Sequence, residues 1–284
     1  MTMARDEGAG LRRWVDFYGR QVGNENLLVF DDGSTDGSTE GLPCTVHRLP
    51  AVPADVGFEF ARMGLASGVS AGLLWVYDFV VFVDVDEFLI ADPDKYSDLK
   101  AFLADRRDAT VIAPMALNLV HHVGVEPTLD PALPLLAQRR FAKFIPLMCK
   151  PSIKSVPAAW VDASHGIEAP FHVDPDLFMI HLKFADRDAL LEAGDRRKAM
   201  VEHDGRAAKS SWSLGGEPLA GMLEEFVAGV DPDSVAEFSA DAVRLDEVVH
   251  EEEGGVFRTL RQGQVLAMKQ RRLWRVPTRL HGLV

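Results

Sequence analysis

Segments with the pattern of β-strands alternate with segments of helical pattern through roughly residue 115, and this alternation constrains the fold most. Short apolar stretches predict the strands, and apolar residues at helical spacing predict the helices between them. The expected strands are 1–4, 26–30, 45–49, 79–83 and 110–115, and the expected helices are 10–22, 58–75 and 98–107. Such alternation favours an α/β domain with a mostly parallel central sheet and helices on both faces.

Acidic clusters follow two of the expected strands. One spans residues 31–36 and the other spans residues 84–87. The carboxyl ends of parallel strands meet at one edge of a sheet, and ligands bind at that edge in open α/β folds. We therefore expect both clusters to contribute to a single site.

The second cluster, Asp84-Val85-Asp86-Glu87, ends an apolar run. Side chains alternate along an extended strand, so Asp84 and Asp86 are expected to face the same way and to share one divalent cation. Oxygen ligands of this kind suit Mg²⁺ or Mn²⁺. Two other interpretations stay open: a solvated acidic turn, and the Asp-x-Asp motif of dehalogenase-type phosphatases, which normally opens its domain.

The first cluster, Asp31 to Ser38, is rich in glycine, serine and aspartate and is expected to form a loop. Ser34 and Asp36 suit the capping of a turn. A carboxylate at the strand end would also accept hydrogen bonds from a nucleobase or a ribose. The residues alone leave open a capped surface loop and a nucleoside pocket.

Composition limits the classes of function. The chain has 284 residues, 47% of them hydrophobic, and a formal net charge of −13, which opposes broad binding of nucleic acid. Cys44 and Cys149 have no zinc-site spacing, and a reducing compartment is the simpler interpretation. No signal peptide and no apolar run of about 20 residues is visible, so we expect a cytoplasmic protein.

The second half of the chain is less regular. Residues 120–180 are expected to form loops with short strands, and helices are expected at 186–201 and 218–228. We predict a domain over residues 1–185 and a smaller, mainly helical region over 186–284. The segment 256–280 is basic, which would suit peripheral contact with an anionic membrane or a lipid-linked acceptor, or pairing with the protein's own acidic surface.

Three motifs in the first 90 residues occur in an order that resembles the GT-A glycosyltransferases, close to the family 2-like group. Arg5-Asp6-Glu7 followed by Leu11 and Trp14 resembles the opening segment of that group. Phe30 to Gly37 resembles its nucleotide-binding loop, with Ser38 where threonine is usual, and Asp84 to Phe88 resembles its metal motif.

The resemblance implies a GT-A fold and a metal-dependent transfer of a hexose, with inversion, from a nucleotide sugar that is most commonly UDP-linked. The acceptor would be an unknown glycan, lipid-linked or small molecule. A non-catalytic relative that binds nucleotide sugars or glycans is the alternative. The physical need for the metal is clear, because a divalent cation stabilises the negative charge that develops on the leaving diphosphate.

The resemblance also implies roles for individual residues. The metal ligands would be Asp84, Asp86 and a late histidine, either His181 or His165, with Mn²⁺ or Mg²⁺ as the cofactor. The candidates for contact with the nucleotide and its diphosphate are Arg5, Glu7, Asp31, Asp32, Ser34, Asp36, Asp84, Lys150, Lys154 and Lys183. The Glu-Asp pair that often supplies the general base in this group does not occur in the chain. Asp162 and Glu168 are the candidates for that role.

Overall fold

A computed structural model describes residues 1–50, 57–130, 132–161, 163–205, 208, 210–259 and 272–284. Its helices are α1 (Ala9–Val22), α2 (Phe58–Leu73), α3 (Leu99–Ala104), α4 (Leu135–Gln138), α5 (Arg187–Asp204) and α6 (Gly216–Val227). Its strands are β1 (Thr2–Ala4), β2 (Leu28–Asp31), β3 (Thr45–Arg48), β4 (Val80–Val81), β5 (Glu87–Ala91), β6 (Val111–Val120), β7 (Phe141–Phe144), β8 (Ile153–Lys154), β9 (Trp160–Val161), β10 (Gly166–Ile167), β11 (His172–Phe184), β12 (Val249–Glu252), β13 (Val256–Thr259) and β14 (Trp274–Arg275). The chain is a mixed α/β protein, as the sequence predicts.

The strands β1, β2 and β3 form a parallel three-stranded sheet. Two backbone hydrogen bonds extend this pairing toward β4: the nitrogen of Met1 donates to the Val81 carbonyl at 2.7 Å, and the Val83 nitrogen donates to the Met1 carbonyl at 3.3 Å. Met1 thus bonds to the residues on either side of Phe82, which is the hydrogen-bond pattern of parallel strands. The carboxyl ends of β1, β2 and the β4 segment therefore lie at one edge, as expected.

The larger sheet corrects the prediction of a mostly parallel core. Among its seven described strands only β6 and β11 pair in parallel, and the other pairings are antiparallel. The chain passes from β4 to β5 through a tight turn, in which the Glu87 nitrogen donates to the Asp84 carbonyl, and the two strands then pair antiparallel with different partners, β8 and β11. No helical crossover lies between these strands. The strand β11, with 13 residues, also replaces part of a region that was expected to be mostly loops.

Helix α1 positions the strand that carries the second acidic cluster. Its apolar residues recur at helical spacing, so that Leu11, Trp14, Val15, Phe17 and Tyr18 are buried on one side. The Tyr18 hydroxyl donates to the Glu87 carbonyl at 3.0 Å and accepts from the Leu89 nitrogen at 2.9 Å. Packing and two buried hydrogen bonds thus fix β5 against α1.

The region after residue 185 is not only helical. Helices α5 and α6 pack against each other, but β12 and β13 join the four-stranded sheet that contains β9 and β10, and β14 pairs with β7. Both sheets therefore cross the predicted boundary at 185. No helix in the described part of the chain is long and apolar enough to cross a bilayer.

Part of the basic segment lies outside the described residues, including Arg261, Lys269 and Arg271. Two of its described cations contact the protein itself. Arg279 lies 2.9 Å from an Asp92 carboxylate oxygen, and Arg275 donates to the Pro232 carbonyl at 2.9 Å. For these two residues, pairing with the protein's own surface is what the structure shows.

Candidate functional site

A cavity of about 730 Å³ opens at the carboxyl ends of β1, β2 and the β4 segment. The loop after each of these strands contributes lining residues, and β11, α2 and α5 supply the other walls. The predicted site residues that line it are Arg5, Glu7, Asp32, Asp84, Asp86, Lys150, His165, His181 and Lys183. The two acidic clusters therefore share one site, as their positions at strand ends predict.

Strand register brings a histidine to the second cluster. In the antiparallel pair of β5 and β11, His181 is the partner of Glu87, and in the parallel pair of β11 and β6, His181 is the partner of Asn118. Directly paired residues hold their side chains on the same face. Three neighbouring strands thus place a carboxylate, an imidazole and an amide side by side.

Asp86, Glu87 and His181 form the group that could hold a metal ion, with their ligand atoms within 4.8 Å of one another. The Nε2 atom of His181 lies 3.4 Å from Oδ2 of Asp86, and its Nδ1 atom lies 2.9 Å from Oδ1 of Asn118. The Asn118 contact at Nδ1 leaves Nε2 facing Asp86, where a neutral ring with its proton on Nδ1 would offer a lone pair to a cation. This mixed oxygen and nitrogen donor set fits Mn²⁺.

Asp84 is not a member of this group, and its sharing of a cation with Asp86 stays a prediction. The turn at residues 84–87 breaks the alternation of an extended strand. The Asp84 carboxylate pairs with Arg62 of α2 and lies 3.0 Å from the Lys150 Nζ atom. Burial alone would raise the pKa of Asp84, but these two cations outweigh it and hold the pKa well below its usual range.

Glu87 is fully buried and lies between Lys150 and the backbone of Asp84. Its carboxylate is 2.5 Å from Lys150 Nζ and accepts from the Asp84 nitrogen at 3.0 Å. Burial raises the pKa of Glu87, and the paired carboxylates raise the pKa of Lys150 although burial opposes this. Lys150 therefore bridges two carboxylates inside the site, as well as lining the cavity.

The adjacent residues Asp31 and Asp32 have different surroundings. Asp31 is occupied by its own loop, because its carboxylate accepts from the Ser34 nitrogen at 2.7 Å and from the Thr39 hydroxyl at 3.1 Å. Asp32 instead lines the cavity, 3.6 Å from Arg5. Of the two predicted nucleotide contacts, only Asp32 lines the cavity.

Ser34 and Asp36 tie this loop to the loop after β1 and do not line the cavity. The Asp36 carboxylate accepts from the Gly8 nitrogen at 3.0 Å, and the Ser34 hydroxyl accepts from the Asp6 nitrogen at 3.2 Å. Asp6 in turn accepts from the Thr35 nitrogen at 2.7 Å. Their role in the structure is to fix the loop that carries Arg5 and Glu7.

Two histidines line the cavity, but only one lies beside the acidic group. His165 has its Nδ1 atom 2.8 Å from the Leu147 carbonyl, and burial lowers its pKa to about 4. It is therefore a neutral ring near neutral pH. The geometry favours His181 as the late metal ligand, because Asp86 and Glu87 surround its free nitrogen.

Two further predicted residues, Lys154 and Glu168, do not line the cavity. The Lys154 Nζ atom donates to the Ala158 carbonyl at 2.5 Å and lies 3.6 Å from the Trp160 ring centroid, so this side chain does not reach the cavity. Glu168 is exposed and does not line the cavity. Asp162 lies outside the described residues.

Glu7 is a further carboxylate of the cavity wall. Burial, with a contribution from the charge of Asp86, raises the pKa of Glu7 to about 7. In the described part of the chain its carboxylate has no hydrogen bond or ion pair within bonding distance. A carboxyl group with this pKa exchanges protons near neutral pH.

Helix α5 and the turn after it bring further side chains to the site beside Asp86 and Lys183. Arg197 lies 3.9 Å from Asp86 and stacks 5.5 Å from the centroid of the Trp212 ring. The Lys183 Nζ atom donates to the Ser211 hydroxyl at 2.7 Å, and burial lowers the pKa of Lys183. Lys183 was among the expected contacts, whereas Arg62, Asn118 and Arg197 lie outside the three motifs, so only the fold brings these three to the site.

No protein-family model matches the chain, and a search of curated proteins finds no match either.

Proposed function

We propose that the protein is a metal-dependent glycosyltransferase that transfers a hexose from a nucleotide sugar. The observation that carries this proposal is the convergence of Asp32, Asp86, His181 and Lys150 on one cavity at the carboxyl edge of the sheet. This arrangement combines a hydrogen-bond acceptor for a nucleoside, a group that fits a divalent cation, and buried positive charge. A site that binds a nucleoside diphosphate with its metal ion would use all three features.

The donor set supports Mn²⁺ or Mg²⁺, held by Asp86 and His181 with Glu87 beside them. When bound, such a cation would stabilise the negative charge of the departing diphosphate. Asn118 fixes the imidazole so that Nε2 faces the carboxylates. Arg62 and Lys150 hold Asp84 ionised and oriented, which keeps a fixed negative charge near the position expected for the ribose.

Positive charge on the cavity wall supports a diphosphate ligand. Lys183, Arg196 and Arg197 line the cavity, although the chain as a whole is acidic. Cations concentrated in a cleft attract an anionic substrate and pair with its phosphate oxygens. Trp212 packs against Arg197 and supports its side chain from the turn after α5.

An inverting transfer also needs a group that accepts the proton of the acceptor hydroxyl. Among the described residues, Glu7 suits this task because it lines the cavity, lacks an ion-pair partner and has a pKa of about 7. Glu168 lies outside the cavity. We assign the proton acceptor to Glu7 within this proposal, with Asp162 as the alternative from the sequence.

The proposal is tested by calorimetry with UDP and GDP, each with and without Mn²⁺, followed by an assay for release of nucleoside diphosphate from UDP- and GDP-hexoses. We expect one nucleotide to bind in the presence of the metal, and we expect multiple turnovers with a suitable acceptor. Asp32→Asn should weaken nucleotide binding, while Asp108→Asn, at an exposed position after α3, should not. Binding without turnover across a range of acceptors would favour the non-catalytic alternative, and no binding at all would contradict the proposal.

A further inference from the structure

The outer face of helix α2 is apolar and open to solvent. Phe60, near the start of the helix, is 86% exposed, and Trp75 and Val76, just after its end, are 89% and 76% exposed. Over residues 58–76 every exposed position is apolar or glycine, and these positions, here called the apolar stripe, are Phe60, Ala61, Gly64, Gly68, Gly72, Trp75 and Val76. Contiguous exposed apolar surface of this kind marks an interaction site.

The apolar stripe follows a single face of the helix, because residues three or four apart are neighbours on a helix surface. The helical turns continue past the last residue of α2, since the Trp75 nitrogen donates to the Gly72 carbonyl at 3.2 Å. A Cβ atom built on Gly64, Gly68 or Gly72 would meet no other atom within 4 Å. The glycines therefore form an open groove between two bulky ends.

The apolar stripe is symmetric about Gly68. A twofold axis through Gly68 and perpendicular to the helix exchanges residues at equal separations before and after it. The exchanged pairs are Phe60 with Val76, Ala61 with Trp75, and Gly64 with Gly72. Each aromatic side chain would thus face a smaller side chain of a second copy, and each glycine would face a glycine. A twofold interface requires one patch to be complementary to itself in this way.

The area of the apolar stripe is sufficient for a weak dimer. A buried aromatic side chain removes about 150–250 Å² from solvent, so Phe60 and Trp75 of two copies would together bury about 600–1,000 Å². The glycine groove and Val76 bring the total close to about 1,200 Å², which is the lower end for specific protein interfaces. We therefore expect an association that depends on protein concentration.

Charge favours a second copy over an anionic membrane. No charged residue belongs to the apolar stripe, and two charges beside it on α2, Glu59 and Arg62, pair with each other at 3.2 Å. Two stripes therefore meet without like charges between them. An anionic lipid surface would find no cation on the stripe, and the formal net charge of −13 would oppose its approach.

We propose that two copies of this chain pair through the apolar stripe of α2, antiparallel and about a twofold axis at Gly68. The stripe runs along a row of residues four apart, and two such rows align when the helices cross at about −50°. Glycine on both helices lets the backbones approach closely. The pairing is independent of the proposed transferase activity, because no residue of the apolar stripe lines the first cavity.

Sedimentation velocity over protein concentrations from about 1 to 100 μM tests the pairing. We expect the native protein to form a dimer that dissociates on dilution, with a Kd of about 1–100 μM. Gly68→Glu places two carboxylates face to face on the axis and should weaken the dimer at least about tenfold. Because glutamate is a better helix former than glycine, thermal unfolding should show that this variant keeps its fold. Gly221→Glu, on α6 with open space around it, makes the same change elsewhere and should leave the dimer unchanged.

Disulfide trapping tests the antiparallel register, in a Cys44→Ser background. Gly68→Cys should cross-link to itself on oxidation, because contact at the axis brings the two Cα atoms within the 4.4–6.8 Å or so that a disulfide needs. A mixture of Gly64→Cys and Gly72→Cys should cross-link faster than either variant alone. Parallel pairing would instead join each of these variants to itself.

Three results would overturn the proposal. The first is a native protein that stays monomeric at 100 μM or so, including one that sediments with phosphatidylcholine vesicles instead, which would assign the stripe to a membrane. The second is a dimer that Gly68→Glu leaves intact. The third is faster cross-linking of Gly64→Cys to itself than to Gly72→Cys. None of these outcomes bears on nucleotide binding in the first cavity.

Discussion

The Nε2 atom of His181 lies 3.4 Å from the Oδ2 atom of Asp86, although the two residues are far apart in the sequence. The pairing of β11 with β5 creates this contact, and the pairing of β11 with β6 places Asn118 on the other nitrogen of the ring. Side chains that orient a histidine in this way tune its affinity for a metal. The contact between Asp86 and His181 is therefore the centre of the proposed metal site.

The role of Asn118 gives the first prediction. Asn118→Leu removes the acceptor that orients His181 and is expected to weaken Mn²⁺ binding by about 10- to 100-fold. Asn118→Asp keeps an oxygen acceptor at the same place and should lose less. Calorimetric titration of Mn²⁺ measures both, and unchanged affinity in Asn118→Leu would show that the amide does not support a metal ligand.

Lys150 is expected to be essential to stability as well as to the site. Lys150→Met leaves Asp84 and Glu87 without their shared cation, and removal of one partner from a buried ion pair costs about 3–5 kcal/mol. Lys198→Met makes the same change at an exposed side chain and should change the free energy of unfolding by less than about 1 kcal/mol. Urea unfolding in the presence of EDTA gives both values, and similar losses for the two variants would contradict the assigned role.

Helices α5 and α6 meet at two glycines, and this contact positions the helix that carries Arg197. A Cβ atom built on Gly194 would lie 2.7 Å from the Gly216 Cα atom, which is too close for any side chain. Gly194→Ala is therefore expected to destabilise the protein by about 1–3 kcal/mol. Gly221→Ala, on α6 with open space around it, should stabilise the protein by about 0.4–1 kcal/mol. Thermal unfolding distinguishes the two, and a neutral Gly194→Ala would contradict the close packing.

Glu7 gives a prediction about pH. Its pKa is about 7 in the folded protein and 4.5 in an unfolded chain, so between these values the folded state binds the proton more tightly. The free energy of unfolding should therefore fall as pH rises from 4.5 to 7. Glu7→Gln resembles the protonated form and should lose less stability across this window, by about 1–3 kcal/mol. Denaturant unfolding at several pH values measures this loss of stability, with Glu40→Gln at an exposed position as the control. Parallel pH profiles for Glu7→Gln and the native protein would contradict a raised pKa of Glu7 in the folded state.

The sequence was sufficient to predict the edge of the sheet where the site lies, because Asp32 and Asp86 each follow a strand of the first, regular part of the fold. It predicted the first three helices and strands for the same reason, since their periodicity is local. The pairing of Asp84 with Arg62 and Lys150 was not predictable by alternation, because a hydrogen bond between Glu87 and Asp84 closes a turn there.

Other features of the site depend on contacts between distant segments. Arg62 reaches Asp84 from α2, and Arg197 reaches Asp86 from α5. Lys154 resembled a phosphate-binding lysine in the sequence, yet its strand directs it toward Trp160. Whether such a cation faces the cavity or the core is decided by strand pairing, which no short motif encodes.

Titration of Mn²⁺, followed by its paramagnetic resonance signal in the presence and absence of UDP, tests the central claim most directly. We expect the native protein to bind the ion, UDP to strengthen that binding, and both Asp86→Asn and His181→Ala to abolish it, while Asp108→Asn binds as the native protein does. Mn²⁺ binding that is absent from the native protein, or that persists unchanged in Asp86→Asn and His181→Ala, would contradict the account.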